Sequence, residues 1–418
     1  MQSIRLKNIK LTIKPLNSSL SLLFAIFIVA LISPSETYAG DMSLIRLSEF
    51  CEKESNDNSC MQNAINYASR NTESFGLIIA DKKRAYNISK TIIICNSSDG
   101  VFDGAGAAFN WVGPPNIPMF LVINGRHMRF ENFNIFSSPK GILHPLQAGM
   151  EFTSDLTNKS GCEGQVIPSS KNSIDHVRME GRELNGLIYG IRFTNRFGDD
   201  ANNDMSTIFD VTLNNITNAG ISIEHTQSHQ HRLISVNGYG APGNNGCFVD
   251  AKTGFISVVG GFQGGWGDAN FCFDGAYGPF SVVDSNSEGS SRLLEIGKNK
   301  DLTGFPMNVS IQGGRFAVNN LNKDGSFINI NRLGSFLLKG ITIDGVSTTG
   351  NFPKITVMPG SRKQEKRISS VVVEGLSFYV IGAKVDHLFN LSDAVDVSVR
   401  NNVCFDDTLK YVTACPVK

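Results

Sequence analysis

The chain has 418 residues, balanced at 38 basic and 38 acidic side chains, with 41 glycines and 41% apolar residues. Zero formal net charge, with no long run of one sign, argues against nucleic acid as a partner, because phosphate binding needs a concentrated basic surface. The length allows one large domain or two ordinary ones, and the apolar content is that of an ordinary globular chain.

At the N-terminus, Arg5, Lys7, Lys10 and Lys14 precede the apolar run "LSLLFAIFIVALI" at 20–32. The segment "SPSETYAG" follows, with Thr37 and Ala39 in the small-residue cleavage positions of an export signal. The run is shorter than the roughly 20 residues of a membrane span. Residues 1–39 therefore read as a signal peptide and 40–418 as the mature, secreted domain, periplasmic or extracellular. An uncleaved anchor is the alternative. Eight cysteines suit an oxidising compartment. Cys51 with Cys60 and Cys404 with Cys415 are close enough to staple the two ends, although spacing alone does not fix connectivity. No C-x-x-C occurs, so neither a zinc ribbon nor a thioredoxin-type pair is supported.

The stretch "DNSCMQNAINYASRN" at 57–71 has helical apolar spacing and predicts a cap over residues 45–75. Next, "FGLIIADKKRAYNISKTIIICNSSDGVFDGAGAAF" reads strand, turn, strand, turn, strand, and opens a region of coils at 76–405. Within it a pattern recurs: apolar, any, apolar, any, then Asn, Gly or Asp. Its ten copies end at Asn132, Gly181, Asn215, Gly238, Gly260, Asp284, Gly313, Gly340, Gly375 and Asn401. Each copy is a short strand by its period of two, closed by a residue that tolerates a left-handed turn. A second series lies between them: "GMEFT", "GIRFT", "GISIE", "GCFVD", "NFCFD", then "SRLLE" and "GSFIN". At least two short strands per coil, with few helical segments, suit an all-β parallel β-helix rather than βαβ units or propeller blades. Residues 406–418 read as a C-terminal tail.

Met61-Gln62-Asn63-Ala64-Ile65, Ala85-Tyr86 and Gly104-Ala105-Gly106-Ala107 resemble the opening helix, strand and turn of the pectate-lyase-like superfamily. The proline and glycine of that family's middle element are replaced by "ADKKRAY". The resemblance spans roughly residues 45–405 and implies a right-handed parallel β-helix acting on carbohydrate. It also excludes something. The polygalacturonase-type motifs "N-T-D", "D-D" and "G-H-G" are replaced by "NAG" (218–220), "NNG" (244–246) and "DAN" (268–270). The paired Asp199 and Asp200 do not precede an apolar strand of that type.

The last position of the second series, read coil by coil, is Thr153, Thr194, Glu224, Asp250, Asp274, Glu295 and Asn329. Alternation points this position outward, so four consecutive carboxylates would stand one rung apart, about 4.7–4.9 Å. Their repulsion calls for compensation: a shared proton that makes a general acid, a hard cation such as calcium, or splaying into water. Neighbouring rungs suit the carboxyl spacing of retaining glycosidases, and alternate rungs the upper end of the inverting range. Glu224, Asp250 and Asp274 are thus the candidate acids and bases. In "GISIEHTQSHQH" the histidines do not form the H-E-x-x-H zinc signature, and His225 is assigned to sugar contact or proton transfer. Trp266 and Asp268 in "QGGWGDAN" and Glu288 in "DSNSEGSSR" sit at turns, with Trp266 a sugar-stacking platform or a buried ring. In lyases of the resembling family an arginine removes the proton beside a uronate carboxylate. That resemblance points to Arg292, with Arg232 behind it. The expectation is an exported polysaccharide-degrading enzyme, hydrolase or lyase. Its rival is a non-catalytic glycan-binding or adhesin-like β-helix.

Overall fold

The computed structural model describes residues 44–54, 56–70, 75–137, 145–182, 186–198, 203–225, 228–274, 278–297, 307–318, 326–330, 334–346, 354–357, 369–381, 389–391, 395–405 and 411–412. The expected signal peptide, Asp199, Asp200 and Cys415 lie outside them. Residues 42–418 form one compact unit.

Each coil carries up to three strands, and each strand pairs in parallel with its counterpart one coil on, building three long sheets. Cys247–Ala251, Ile256–Val259 and Phe262–Gly264 form one such coil, and Phe271–Phe273 opens the next. Below, the first, second and third sheets follow that order. Only the last pair, Val403–Phe405 with Tyr411–Val412, is antiparallel among the described residues. The result is a right-handed parallel β-helix.

The corner from second to third sheet is tight because one residue per coil takes a left-handed conformation. These are Asn132, His176, Asp210, Ser235, Gly260, Asp284, Gly313, Gly340, Gly375 and Asn401, with φ between 49° and 69°. Seven of the ten sequence copies end on such a corner. "VRMEG" and "VTLNN" instead belong to the third sheet, and "ISVNG" straddles the corner. In those coils the second-sheet strand has too few inward apolar residues for the pattern. Thr207–Phe209, for example, turns a single side chain, Ile208, inward. Asn, Asp and Gly bear positive φ with least strain, which explains their repetition at these corners. Gly314 is needed for another reason: a Cβ there would lie 1.9 Å from the Ser285 carbonyl oxygen.

Inward side chains fill the coils from end to end. Phe102, Phe109, Phe120, Phe130 and Phe133 meet edge-on or tilted near the N-terminal end. Each such fully buried ring contributes about 1.5–3 kcal/mol. Further along, Phe152 stacks on Phe193 at 5.3 Å, and Phe193 meets the His231 ring at 4.6 Å.

The open end is covered by Leu47–Cys51 and Asp57–Arg70. Here side chains replace a missing strand. Gln62 accepts from the Ile93 amide at 2.9 Å and donates to its carbonyl at 2.8 Å. Asn58 Oδ1 accepts from the Ser89 and Lys90 amides, and Asp57 from Asn87. An exposed sheet edge would otherwise invite pairing with another chain. Cys51–Cys60 joins the two helices, as expected from its spacing. Cys95–Cys162 and Cys247–Cys272 were not marked by spacing; the second links adjacent rungs of the first sheet. No described helix is long and apolar enough to cross a membrane.

Candidate functional site

The first sheet carries the second sequence series, but in a different register. Pairing places Glu151, Arg192, Ser222, Asp250, Cys272, Glu295 and Asn329 in one outward column. Backbone bonds set Glu224, Lys252, Asp274 and Gly297 at the end of successive rungs, each donating to the strand before or beside it. The expected column of four adjacent carboxylates is therefore split. Glu224 and Asp274 share one column with Lys252 between them. Asp250 and Glu295 share the other, with Cys272 between them. The physical reason is that a slip of two residues, about 6.6 Å along a strand, preserves which side chains face out. Alternation is blind to it.

Around Glu224 the outer face opens into a polar cleft of about 680 Å³, lined among others by Glu151, Arg192, Arg196, His225 and Lys252. Arg192 grips Glu224 with two bonds, Nε to Oε1 at 2.6 Å and Nη2 to Oε2 at 2.9 Å. Its third arm, Nη1, reaches Glu151 Oε2 at 3.3 Å. Glu151 is fully buried, and it also accepts from Arg196 Nε at 2.6 Å and Thr194 Oγ1 at 3.2 Å. The guanidinium lies 4.9 Å from the Tyr189 ring centre. Burial works against the Arg192 charge, but the Glu224 bonds and charge outweigh it and raise its pKa above the ordinary arginine value. Such a fork-to-fork pair fixes the carboxylate's orientation as well as its charge.

Of these, sequence reasoning named Glu224 and His225 but missed Glu151, Arg192, Arg196 and Lys252. A signal existed. Glu151, Arg192 and Ser222 occupy the middle position of "GMEFT", "GIRFT" and "GISIE", an outward position two residues before the one that was compared.

The other candidates are placed as follows. Trp266 is wholly buried, its indole N–H donating to the Gly238 carbonyl at 3.3 Å and its ring packed near Phe248, so it is no sugar platform. Glycines around it allow the chain to fold tightly over the ring rather than display it. His225 is 6% exposed at the cleft wall. His231 lies in the core and His229 packs on Phe255 at 4.4 Å, so the three histidines share no face. Asp268 and Arg292 approach at 3.6 Å, and Arg292 donates to Glu295 at 2.8 Å and to the Ser326 carbonyl at 3.2 Å. Arg292 does not line the Glu224 cleft, and its Nε and Nη1 are engaged by these partners. Arg232 stands on the second sheet. Glu288 is exposed on the third sheet, away from the cleft's sheet.

Calcium requires six to eight oxygen ligands. The Glu151 and Glu224 oxygens are instead engaged by guanidinium groups, and the split columns lack the repulsion that would call for a cation. The residues around Glu224 do not fit calcium. Cys247, Asp268 and Cys272 bring three potential donor atoms within 4.8 Å, but the two sulfurs are joined as a disulfide and offer no thiolate.

No family model matches the chain, and no curated protein does. Among solved structures, Geobacillus virus E2 ORF18 aligns over 94% of this chain and 65% of its own, at 14% identity and TM-score 0.40. The chain thus spans less than two thirds of that viral protein's length. The endo-xylogalacturonan hydrolase from Aspergillus tubingensis aligns over 88% of this chain and 94% of its own, at 10% identity and TM-score 0.42. Strand pairing, left-handed corners and the cap helix make the chain a right-handed parallel β-helix.

Proposed function

We propose that the chain is an exported polysaccharide-degrading enzyme that hydrolyses a glycosidic bond along the outer face of the first sheet. The observation that carries this reading is the clamped Glu224 in an open cleft, with a second carboxylate, Asp274, two rungs along the same column. Two rungs are about 9.5 Å, the top of the separation range of inverting glycosidases. Arg192 and Ser222 engage Oε1 of Glu224, while Oε2 accepts only the Arg192 bond among the bonds described. A carboxylate oxygen has two lone pairs, so Oε2 retains a place for a proton. In this reading Glu224 takes a proton from water, and the water oxygen bonds to the anomeric carbon. Asp274 gives its proton to the departing oxygen as the glycosidic bond breaks. Asp250, diagonal to both, is the second candidate acid. The three disulfides among the described residues suit an oxidising, extracytoplasmic location.

The test is turnover by the mature chain, residues 40–418, on acidic and neutral polysaccharides, following reducing ends and the ultraviolet absorbance of unsaturated uronates. Hydrolysis predicts new reducing ends without absorbance, lost about 10²–10⁴-fold in Glu224→Gln and in Asp274→Asn. Absorbance would replace hydrolysis by elimination. Silence across the panel with retained glycan binding would leave a binding protein.

A further inference from the structure

The aromatic surface that Trp266 does not provide exists on the third sheet. Tyr239 is 44% exposed, and its ring stacks on Phe262 with centres 5.5 Å apart and planes 25° from parallel. Tyr239 pairs with Gly264 on the next rung, and Gly264 with Glu288 on the one after. A Cβ on Gly264 would stand 3.2 Å from both rings, so the glycine leaves room for the stacked pair beside its strand. Past this plate the next outward side chain in the column is the exposed Glu288. Beyond it Arg315 is bonded to Asp344 at 2.7 Å.

We propose that Tyr239 and Phe262 form a binding platform for a neutral hexopyranose or pentopyranose residue of a polysaccharide, with Glu288 accepting a hydrogen bond from a ring hydroxyl. A sugar ring presents an apolar face of C–H bonds and an edge of hydroxyl donors. The plate supplies a flat aromatic counterpart to the first and the carboxylate an acceptor for the second. Charge decides between neutral and acidic sugars. A uronate at this position would face Glu288, and Arg315, a cation on the next rung, is paired with Asp344. The surface stands on a different sheet from Glu224 and does not depend on the chemistry proposed for the cleft.

Native affinity electrophoresis in gels containing xylan, galactan, β-glucan or polygalacturonate tests this. Retardation by at least one neutral polysaccharide is expected, with apparent Kd raised tenfold or more in Tyr239→Ala and several-fold in Glu288→Gln. Phe209→Ala, which removes a comparably exposed ring from the second sheet, should bind as the parent does. Gly264→Ala tilts the plate without deleting it and should weaken binding with the circular dichroism unchanged. No retardation in any neutral gel overturns the proposal, as does equal retardation of Tyr239→Ala. Retardation by polygalacturonate alone overturns the neutral assignment. Loss of self-association in Tyr239→Ala, without any glycan effect, would make the plate a contact between copies. Because binding is read without turnover, an inactive cleft and an empty plate give different results.

Discussion

His231 gives the sharpest test of the packing. Its ring is fully enclosed, and burial first, with the nearby His229 second, lowers its pKa from 6.5 to about 3. Nε2 meets Ser228 Oγ at 2.8 Å, that hydroxyl donates to the Asn203 carbonyl at 3.0 Å, and Nδ1 has no partner. The ring is therefore neutral in the fold, with Nε2 as its donor. In the unfolded chain it titrates near 6.5. Lowering the pH below 6.5 then favours the unfolded state, which binds the proton, and the loss saturates below about pH 3. At 1.36 kcal/mol per pH unit the loss is about 2 kcal/mol at pH 5, about 3 at pH 4 and at most about 5. Other groups move oppositely. Burial raises the pKa values of Glu131 and Asp175 despite the offsetting Arg129 charge, so their protonation on acidification favours the fold. The informative quantity is accordingly a difference. Urea unfolding of the parent and of His231→Phe, which keeps a ring against Phe193 and cannot titrate, should be compared at pH 7, 5 and 4. The parent's stability relative to the variant should fall by about 2 and then about 3 kcal/mol. A difference constant to within about 0.5 kcal/mol would refute the account of a neutral, enclosed imidazole.

The cleft and the coils carry further expectations. Arg192→Ala leaves the buried Glu151 with one arginine, Arg196, and the Thr194 hydroxyl, and should cost about 3–5 kcal/mol in urea unfolding, while Arg192→Lys, lacking the fork, should recover only part of it. Gly314→Ala adds a positive-φ penalty to a collision with the Ser285 carbonyl, so a loss of about 2–4 kcal/mol is expected by thermal or urea melting. Replacing Cys247 and Cys272 together by alanine opens a loop of 25 residues and should cost about 3.5 kcal/mol, against about 4.4 for Cys95 and Cys162, separated by 67. Equal sensitivity of the two pairs would count against a loop-entropy origin.

The coil architecture was legible because it is written by repetition. Inward apolar residues and a left-handed corner recur in nearly every turn, and Gln62 in the cap marks the helix that covers the first rung. Three corner residues escaped, His176, Asp210 and Ser235, because the second-sheet strands before them turn too few apolar side chains inward to complete the pattern, and of the three only Ser235 is of a type that rarely bears positive φ. The site was less legible for two reasons. A two-residue slip leaves the pattern of apolar and polar positions unchanged, so Asp250 was placed in line with Glu224 when Lys252 holds that place. And exposure of a ring depends on what folds over it: Trp266 among glycines is enclosed, whereas Tyr239, whose strand carries no such signal, stands on the surface.

The position of the cleft follows from the way the coils are joined. The second-to-third corner is set by a single left-handed residue in every coil, which leaves no room for inserted chemistry. The first-to-second connections vary instead, running over residues 154–172, 195–206, 224–230 and 252–255 and shortening coil by coil. Glu151 and Arg192 lie beside the two longest, and chain from the longer one folds back there: Lys159 Nζ reaches the Phe197 carbonyl at 2.7 Å. Glu151, held by Arg192, Thr194 and Arg196, is completely buried, while Glu224, on the rung after Arg192 and beside a shorter connection, keeps 30% of its side chain exposed. The buried carboxylate fixes the two arginines, Arg192 fixes the open one, and the shortening connections uncover the face towards Asp250 and Asp274. A substrate lying along the first sheet would meet reactive groups only on the uncovered side of Arg192. Lengthening the 252–255 connection should therefore abolish turnover while leaving the Arg192–Glu224 pair and the melting temperature in place.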